Sequence, residues 1–273
     1  MSITLKDGRR ILKTRVSLLP DEIRKAGKFA CEEAVYNEIE ARQQYTEADY
    51  LCTVAIMQTP EHDTGKIEGL QSYDSSASAC GFFKKMKAAA EKDPMIVCGE
   101  CYDEKQEQRW NNVKRRHGLQ LRIISRRLIP EKYLALLDVH TDFFRFNSSG
   151  DIENAIHCAN YYRIAKTHPE SNFRLWSKNT EAVRLAKFFE PKPRNIKNIY
   201  SVCRINGTCT KLPEDFDMYF LVAKDPESVE QYLAQGLNEC NGKHCRPCGF
   251  KCYKDESEGG WKQGSGIVEI LRT

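Results

Sequence analysis

The chain of 273 residues is 41% hydrophobic and 29% charged, and its 42 Lys and Arg against 38 Asp and Glu give a net charge of +4. This composition is typical of a soluble globular protein, and the length allows one large α/β domain or two small ones. No segment approaches the roughly 20 apolar residues of a membrane helix, and the N-terminus lacks the apolar core of a signal peptide. We therefore expect a cytosolic protein with reduced thiols and no membrane partner.

The first part of the chain is predicted to be mixed in structure. Apolar residues at helical spacing predict a helix over residues 21–45, which begins after Pro20. The short apolar segment 51–57 resembles a strand. Residues 59–78 are rich in Ser, Gly and Asp and predict a loop, and residues 81–92 predict a short basic helix.

From residue 104 onward, helices and strands alternate. Helices are predicted at 104–116, 130–137, 152–166, 180–189 and 226–235. Strands are predicted at 143–146, 173–176, 196–202, 218–223 and 267–271. The segment 119–128, which follows a break at Gly118, is compatible with a strand or a helix. This alternation predicts parallel βαβ units and an α/β fold, a partial or complete (β/α) barrel. We expect a helical N-terminal extension at 1–64 and a barrel-like domain at 65–273 that carries a Cys-rich metal loop at 240–252.

Four of the twelve cysteines stand close together near the end of the sequence. Their four thiolates would satisfy a tetrahedral zinc ion or one 4Fe-4S cluster, and the spacing does not separate the two. His244 lies inside this loop and is an alternative ligand. The predicted metal ligands here are Cys240, Cys245, Cys248 and Cys252.

A second cysteine motif is the CxxC pair Cys98 and Cys101, which Cys80 precedes in the chain. The pair alone is compatible with a redox couple, with half of a zinc site, or with two of three ligands of a cluster whose third is Cys80. The pair is also compatible with one four-thiolate site shared with Cys245 and Cys248. The remaining cysteines are scattered and are predicted to be small buried residues.

Polar residues follow two neighbouring predicted strands. Ser148, Ser149 and Asp151 stand between a strand and a helix. At such a position, hydroxyls and backbone N–H groups can hold a carboxylate or a phosphate. An ordinary helix cap has the same composition and is the alternative. Lys178 follows the next strand and is either a ligand-facing cation or a surface lysine. In barrels the loops after the strands carry the functional groups.

The overall charge is too small to indicate a polyanionic partner, but its distribution is uneven. Residues 104–132 hold nine Lys or Arg against three Glu. This segment could contact phosphates, and Trp110 and His117 could stack on bases. The alternative is a solvated helix face with Trp110 turned into the core.

Several motifs in a fixed order carry a resemblance to a known family. They are GKIEGLQSYDSS at 65–76, the CxxCY motif at 98–102, RFNSSGD at 145–151, FRLWSK at 173–178 and CNGKHCRPCGFKCY at 240–253. Together they resemble the phage and mobile-element family called gene product 88, which is similar, more distantly, to radical S-adenosylmethionine (SAM) proteins of partial-barrel fold.

The resemblance implies a 4Fe-4S cluster held by Cys80, Cys98 and Cys101, with the fourth iron position open for SAM. It also implies a cofactor or substrate cavity lined by Ser148, Ser149, Asp151 and Lys178, and an auxiliary cluster at the C-terminal cysteines. The expected function is that of an iron–sulfur, radical-SAM-like protein of a bacterial host's cytosol, acting on nucleic acid or a host protein. The alternative is a non-enzymatic zinc-binding module that binds nucleic acid or a partner protein through the basic 105–132 face. The oligomeric state stays open.

Overall fold

The computed structural model describes residues 28–59, 61–62, 67–240 and 244–271. The predicted N-terminal helix is present as α1, Lys28–Glu40, and residues 21–27 of that prediction lie outside the described part. No helix within the described ranges is long and apolar enough to cross a membrane.

Seven strands form one sheet in which every neighbouring pair is parallel. Their order across the sheet is β1-β2-β3-β4-β5-β7-β6. The predicted α/β class is confirmed, and the open parallel sheet is consistent with a partial barrel. The strands are β1 Gln71–Tyr73, β2 Phe143–Phe146, β3 Asn172–Ser177, β4 Ile196–Ile205, β5 Met218–Ala223, β6 Asn238–Glu239 and β7 Gly266–Ile270.

Helices connect and cover these strands. After α1 they are α2 Glu47–Met57, α3 Gly81–Ala90, α4 Tyr102–Arg109, α5 Asn111–Arg126, α6 Glu131–Leu134, α7 Ala155–Thr167, α8 Thr180–Ala186, α9 Pro226–Ala234 and α10 Cys245–Cys248. Single 3₁₀ turns occur at Val97–Glu100 and Glu256–Glu258.

Three local predictions are wrong. The segment 59–78, predicted as a loop, contains strand β1 at Gln71–Tyr73. The segment 51–57, predicted as a strand, is the second half of α2, which Thr46 and Asp49 start by a reciprocal capping box. The predicted break at Gly118 is absent, because α5 runs through it. A side chain at that glycine would meet nothing within 4 Å, so the position is open and the helix tolerates it.

The outward face of the sheet carries the main hydrophobic core. Alternate residues of β2 and β3 point to this face, where Phe146 stacks on Tyr161 of α7 with ring centroids 4.0 Å apart and on Phe173 at 5.3 Å. Tyr36 of α1 and Val54 of α2 belong to the same core. The division between residues 1–64 and 65–273 stays a prediction.

The opposite, inward face of the sheet is polar at the level of these aromatic residues. The strand register places Ser72, Arg145, Arg174 and Lys197 side by side across β1 to β4. Because successive side chains of a strand point to opposite faces, these residues lie opposite the aromatic core. A row of three cations across a sheet face is unsuited to a packed core, so this concave face is where a ligand site is expected.

We expect Phe146→Ala to reduce the free energy of unfolding by about 3–5 kcal/mol, because it removes the centre of the aromatic stack and leaves a cavity. Urea denaturation followed by circular dichroism measures the change. The matched control is Phe188→Ala, whose ring is 72% exposed, with an expected change below about 0.5 kcal/mol. Equal effects of the two substitutions would contradict this assignment of the core.

Candidate metal and ligand site

A cavity of about 170 Å³ lies on the concave face of the sheet. Its walls come from the inward side chains of β2, β3, β4, β5 and β7, from the loop after β2, and from the chain around α10. The lining includes Asp103, Arg145, Asn147, Ser148, Trp176, Lys178, Phe220, Cys240, Cys245, Cys252, Tyr253, Trp261 and Glu269.

The loop after β2 is held to the end of β1. The hydroxyl of Ser148 and the backbone N–H of Ser149 donate to Asp74 Oδ1 at 2.5 and 3.0 Å. Gly150 has φ +79° and lies so close to Ser75 that a Cβ would be 2.3 Å from its carbonyl oxygen, so only glycine fits. Two of the donors predicted to bind an anion are therefore engaged with Asp74, whereas the Ser149 hydroxyl is buried without a hydrogen-bond partner among the described residues. The cap of α7 is instead Asn154.

Asp151 joins the same loop to the end of β3. Its Oδ1 accepts from the Ser177 hydroxyl at 2.5 Å and from the Ile152 N–H at 2.7 Å, and its Oδ2 accepts from the Lys178 N–H at 2.9 Å. Asp151 thereby positions Lys178 at the rim of the cavity.

The side chain of Lys178 lies among thiols. Burial opposes its charge, but the nearby Asp151 carboxylate and the thiols of Cys98, Cys203 and Cys101 raise the pKa of Lys178 above its ordinary value. Lys178 is therefore a fixed positive charge at neutral pH, next to groups that become negative when they bind a metal.

Cys80, Cys98 and Cys101, which we call the first cysteine group, share one apolar cluster with Phe83 and Ile96. Burial raises the pKa of Cys80 to about 12 and of Cys101 to about 11, and it also raises the pKa of Cys98. At neutral pH these thiols are protonated, so a metal ion would have to displace their protons.

Cys203 joins this neighbourhood, although it was predicted as an isolated buried residue. The segment before Cys98 pairs with the end of β4 by an antiparallel bridge between Ile96 and Arg204 and by a 2.7 Å hydrogen bond from Ile205 N–H to Met95 O. Lys178 acts electrostatically on Cys98 and on Cys203. The one feature of the sequence that pointed to Cys203 is its location just after a predicted strand, at the edge of a parallel sheet where functional groups are expected.

The second cysteine group, Cys240, Cys245, Cys248 and Cys252, lies in the connection from β6 to β7. Three of its members line the cavity, and Cys248 ends the one-turn helix α10. Arg174 holds this segment by donating from Nε to the Cys252 carbonyl, and Lys197 Nζ donates to Lys254 O at 2.8 Å. Phe250 also stacks on Phe143 at 4.7 Å.

The two cysteine groups lie at different levels of β3. Cys98 and Cys101 of the first group lie near Lys178, which lines the cavity, and the second group lies at Arg174. Four residues of a strand span roughly 13 Å, which disfavours one site shared by Cys98, Cys101 and the second group. In the described part of the chain, no three His, Cys, Asp or Glu side chains stand close enough to hold a metal ion. The described residues therefore form no assembled metal site, and metal binding at either cysteine group stays a prediction.

The basic face of α5 is covered by α1. Arg115 pairs with Glu33 and Arg116 with Glu32, each at 2.6 Å, and Arg122 pairs with Glu40. These arginines are partly neutralised within the chain, which leaves less charge for phosphates. Trp110 is 56% exposed and does not enter the core.

Glu107 of α4 is a buried anchor that the sequence did not reveal. It is 1% exposed, and its carboxylate accepts from the N–H groups of Ala77 and Ser78, each at 3.0 Å, and from the hydroxyls of Ser76 and Ser78. Burial raises the pKa of Glu107, but the hydrogen bonds from His117, Ser78 and Ser76 lower it more, to about 2. Glu107 thus ties the turn before Cys80 to the helix after Cys101.

The fold and the site define a class of protein: an α/β protein with an open parallel sheet, a cavity lined by three cysteines of the second group, and the first cysteine group in a separate apolar cluster. The sequence pattern of the family described as Gene product 88 matches residues 37–263, and the chain belongs to that family. The match includes the last turn of α1 and all of α2, beyond the motifs that first carried the resemblance. No curated protein and no solved structure matches the chain.

We expect Glu107→Gln to destabilise the protein by about 1–3 kcal/mol at neutral pH, because an amide cannot accept all of these hydrogen bonds. The pKa of Glu107 is lower in the folded than in the unfolded chain. The stabilisation by the Glu107 carboxylate is therefore complete above the pKa of the unfolded chain, and it falls as pH drops from about 4.5 toward 2. Urea unfolding across this range should show the difference from wild type shrinking with pH.

The control for this prediction is Glu100→Gln, which removes an exposed carboxylate paired only with Lys105 on the surface. It should leave stability unchanged at every pH. A constant difference between Glu107→Gln and wild type down to pH 2 would contradict the assigned role of the carboxylate.

Proposed function

We propose that this protein is a radical-SAM-like iron–sulfur protein with a cluster at each cysteine group. The observation that supports the proposal most is that three cysteines of the second group line a cavity whose wall also includes Lys178, the neighbour of Cys98 and Cys101. Clusters placed in this way would both act on a ligand between them. The substrate, a nucleic acid or a host protein, stays a prediction from the resemblance.

The first cysteine group suits a cluster that leaves one iron position open. Cys80, Cys98 and Cys101 would supply three thiolates, and their apolar surroundings exclude water. Lys178 would compensate the negative charge, while Asp151 fixes the position of Lys178 through its backbone N–H. When bound, SAM would supply radical chemistry through its sulfonium group.

The size of the cavity limits what fits within it. Its volume of about 170 Å³ lies below the range of about 300–1,000 Å³ for small-molecule pockets. Only a small ligand, or a small part of a larger one, is accommodated inside.

The contacts of Arg115, Arg116 and Arg122 with α1 also weaken the alternative of a nucleic-acid-binding zinc module.

Metal analysis after anaerobic purification tests the proposal. We expect brown protein with about eight iron atoms and eight sulfides per chain, four for each cluster. The double variant Cys98→Ser and Cys101→Ser should lose about half of the iron. Cys158→Ser, which changes a thiol buried in the main core, serves as the control and should keep all of it. Colourless protein with stoichiometric zinc would contradict the proposal.

Electron paramagnetic resonance of the reduced protein tests the open iron position. Adding SAM should change the signal of one cluster and leave that of the other, because only the first group would have three thiolates. Cys203→Ser should respond in the same way as wild type. If wild type ignores SAM and Cys203→Ser responds, Cys203 is a fourth ligand and the radical-SAM-like assignment is wrong.

A further inference from the structure

We propose that the cavity contains a subsite for an oxyanion, a carboxylate or phosphate group of the substrate, held by Arg145, Asn147 and Tyr253. The proposal rests on the proposed function only in treating the cavity as the substrate site. None of the three residues is a candidate metal ligand, and the binding test does not require a metal.

Each of these residues presents a buried polar atom that has no hydrogen-bond partner among the described residues. The atoms are Arg145 Nε, Asn147 Nδ2 and Tyr253 Oη, and all three residues line the cavity. About 90% or more of buried polar groups in folded proteins are paired, because an unpaired donor loses its hydrogen bond to water without replacement. Three residues with such atoms line one small cavity, which indicates that an acceptor-rich group belongs there.

The orientation of Asn147 is set by the groups behind it. Its Oδ1 accepts from the hydroxyls of Tyr161 at 2.9 Å and Ser75 at 3.2 Å, which leaves Nδ2 as the donor. Its backbone is in the left-handed region at φ +54°, and its N–H donates to Tyr73 O at 3.0 Å. A strained backbone held in place by several contacts is typical of a ligand-binding position.

Arg145 and Tyr253 are also held rigidly. The Arg145 guanidinium lies 4.3 Å from the ring centroid of Trp176, and the Tyr253 ring packs 5.4 Å from Phe143 and 6.1 Å from Trp176. No carboxylate oxygen of the described chain comes within ion-pairing distance of Arg145. A guanidinium stacked on a ring keeps its N–H edge directed outward, the geometry that suits a carboxylate or phosphate.

The neighbouring charges define the ligand further. Arg174 lies beside Arg145 in the strand register and adds positive charge, and Lys178 stands at the far rim. Asp103 and Glu269 also line the cavity, so a purely anionic ligand would meet repulsion on one side. The arrangement suits a small molecule that carries an oxyanion at one end and a hydrogen-bond donor or amine elsewhere.

Isothermal titration calorimetry of the anaerobically purified protein tests the subsite with two probes. Inorganic phosphate represents a tetrahedral group and acetate a planar one. The probe that binds more tightly identifies the oxyanion as a phosphate or a carboxylate. We expect saturable binding of one probe, weakened about tenfold or more by Arg145→Met and by Tyr253→Phe. The control Tyr232→Phe removes a hydroxyl that already donates to Gly207 O at 2.7 Å, and it should leave affinity unchanged.

Tyr253→Phe keeps the ring and its packing, so the anion affinity of this variant tests the subsite even if Arg145→Met fails to fold. Absence of binding by wild type, or equal affinity of Tyr253→Phe and wild type, would overturn the proposal. So would loss of iron in Arg145→Met with unchanged anion affinity, because Arg145 would then serve the second cysteine group. Iron analysis of the same samples separates this outcome from failure of the proposed function.

Discussion

The contact between Arg174 and the carbonyl of Cys252 is the interaction on which the site depends. Arg174 is 1% exposed on the concave face, and burial lowers its pKa to about 10. Its cost of burial is offset by the carbonyls of Cys252 and Phe173 and by the ring of Tyr253. Together with Lys197 and Phe143, this guanidinium holds the segment of Cys252 and Tyr253 that closes one side of the cavity.

The strands of the central sheet could be predicted because each is a buried apolar run between turn residues. The segment 218–223 was predicted with its observed bounds. The segment 51–57 could not be assigned, since a short apolar run has the same appearance in a helix and in a strand. Strand β1 has three residues, and its pairing with β2 depends on a partner about 70 residues away.

The sequence predicted two cysteine groups, but not their places relative to the cavity, which the second group lines and which Cys98 and Cys101 approach only through Lys178. That result needs the strand register, which places Arg145 and Arg174 on the concave face. Cys203 was missed because its proximity to Cys98 depends on a bridge between distant segments. The hydroxyl-rich loop was recognised, yet the Ser148 hydroxyl and the Ser149 N–H serve Asp74, and the cavity-lining residue of this loop with an unused donor is Asn147.

The order of the last three strands has a consequence for assembly during synthesis. Strand β7 lies between β5 and β6, and β6 pairs with β7. When the ribosome has released β6, its place in the sheet does not yet exist, because its partner strand is still to be made. The cavity also lacks the lining that Ile267 and Glu269 of β7 provide, so it is completed only after β7 emerges.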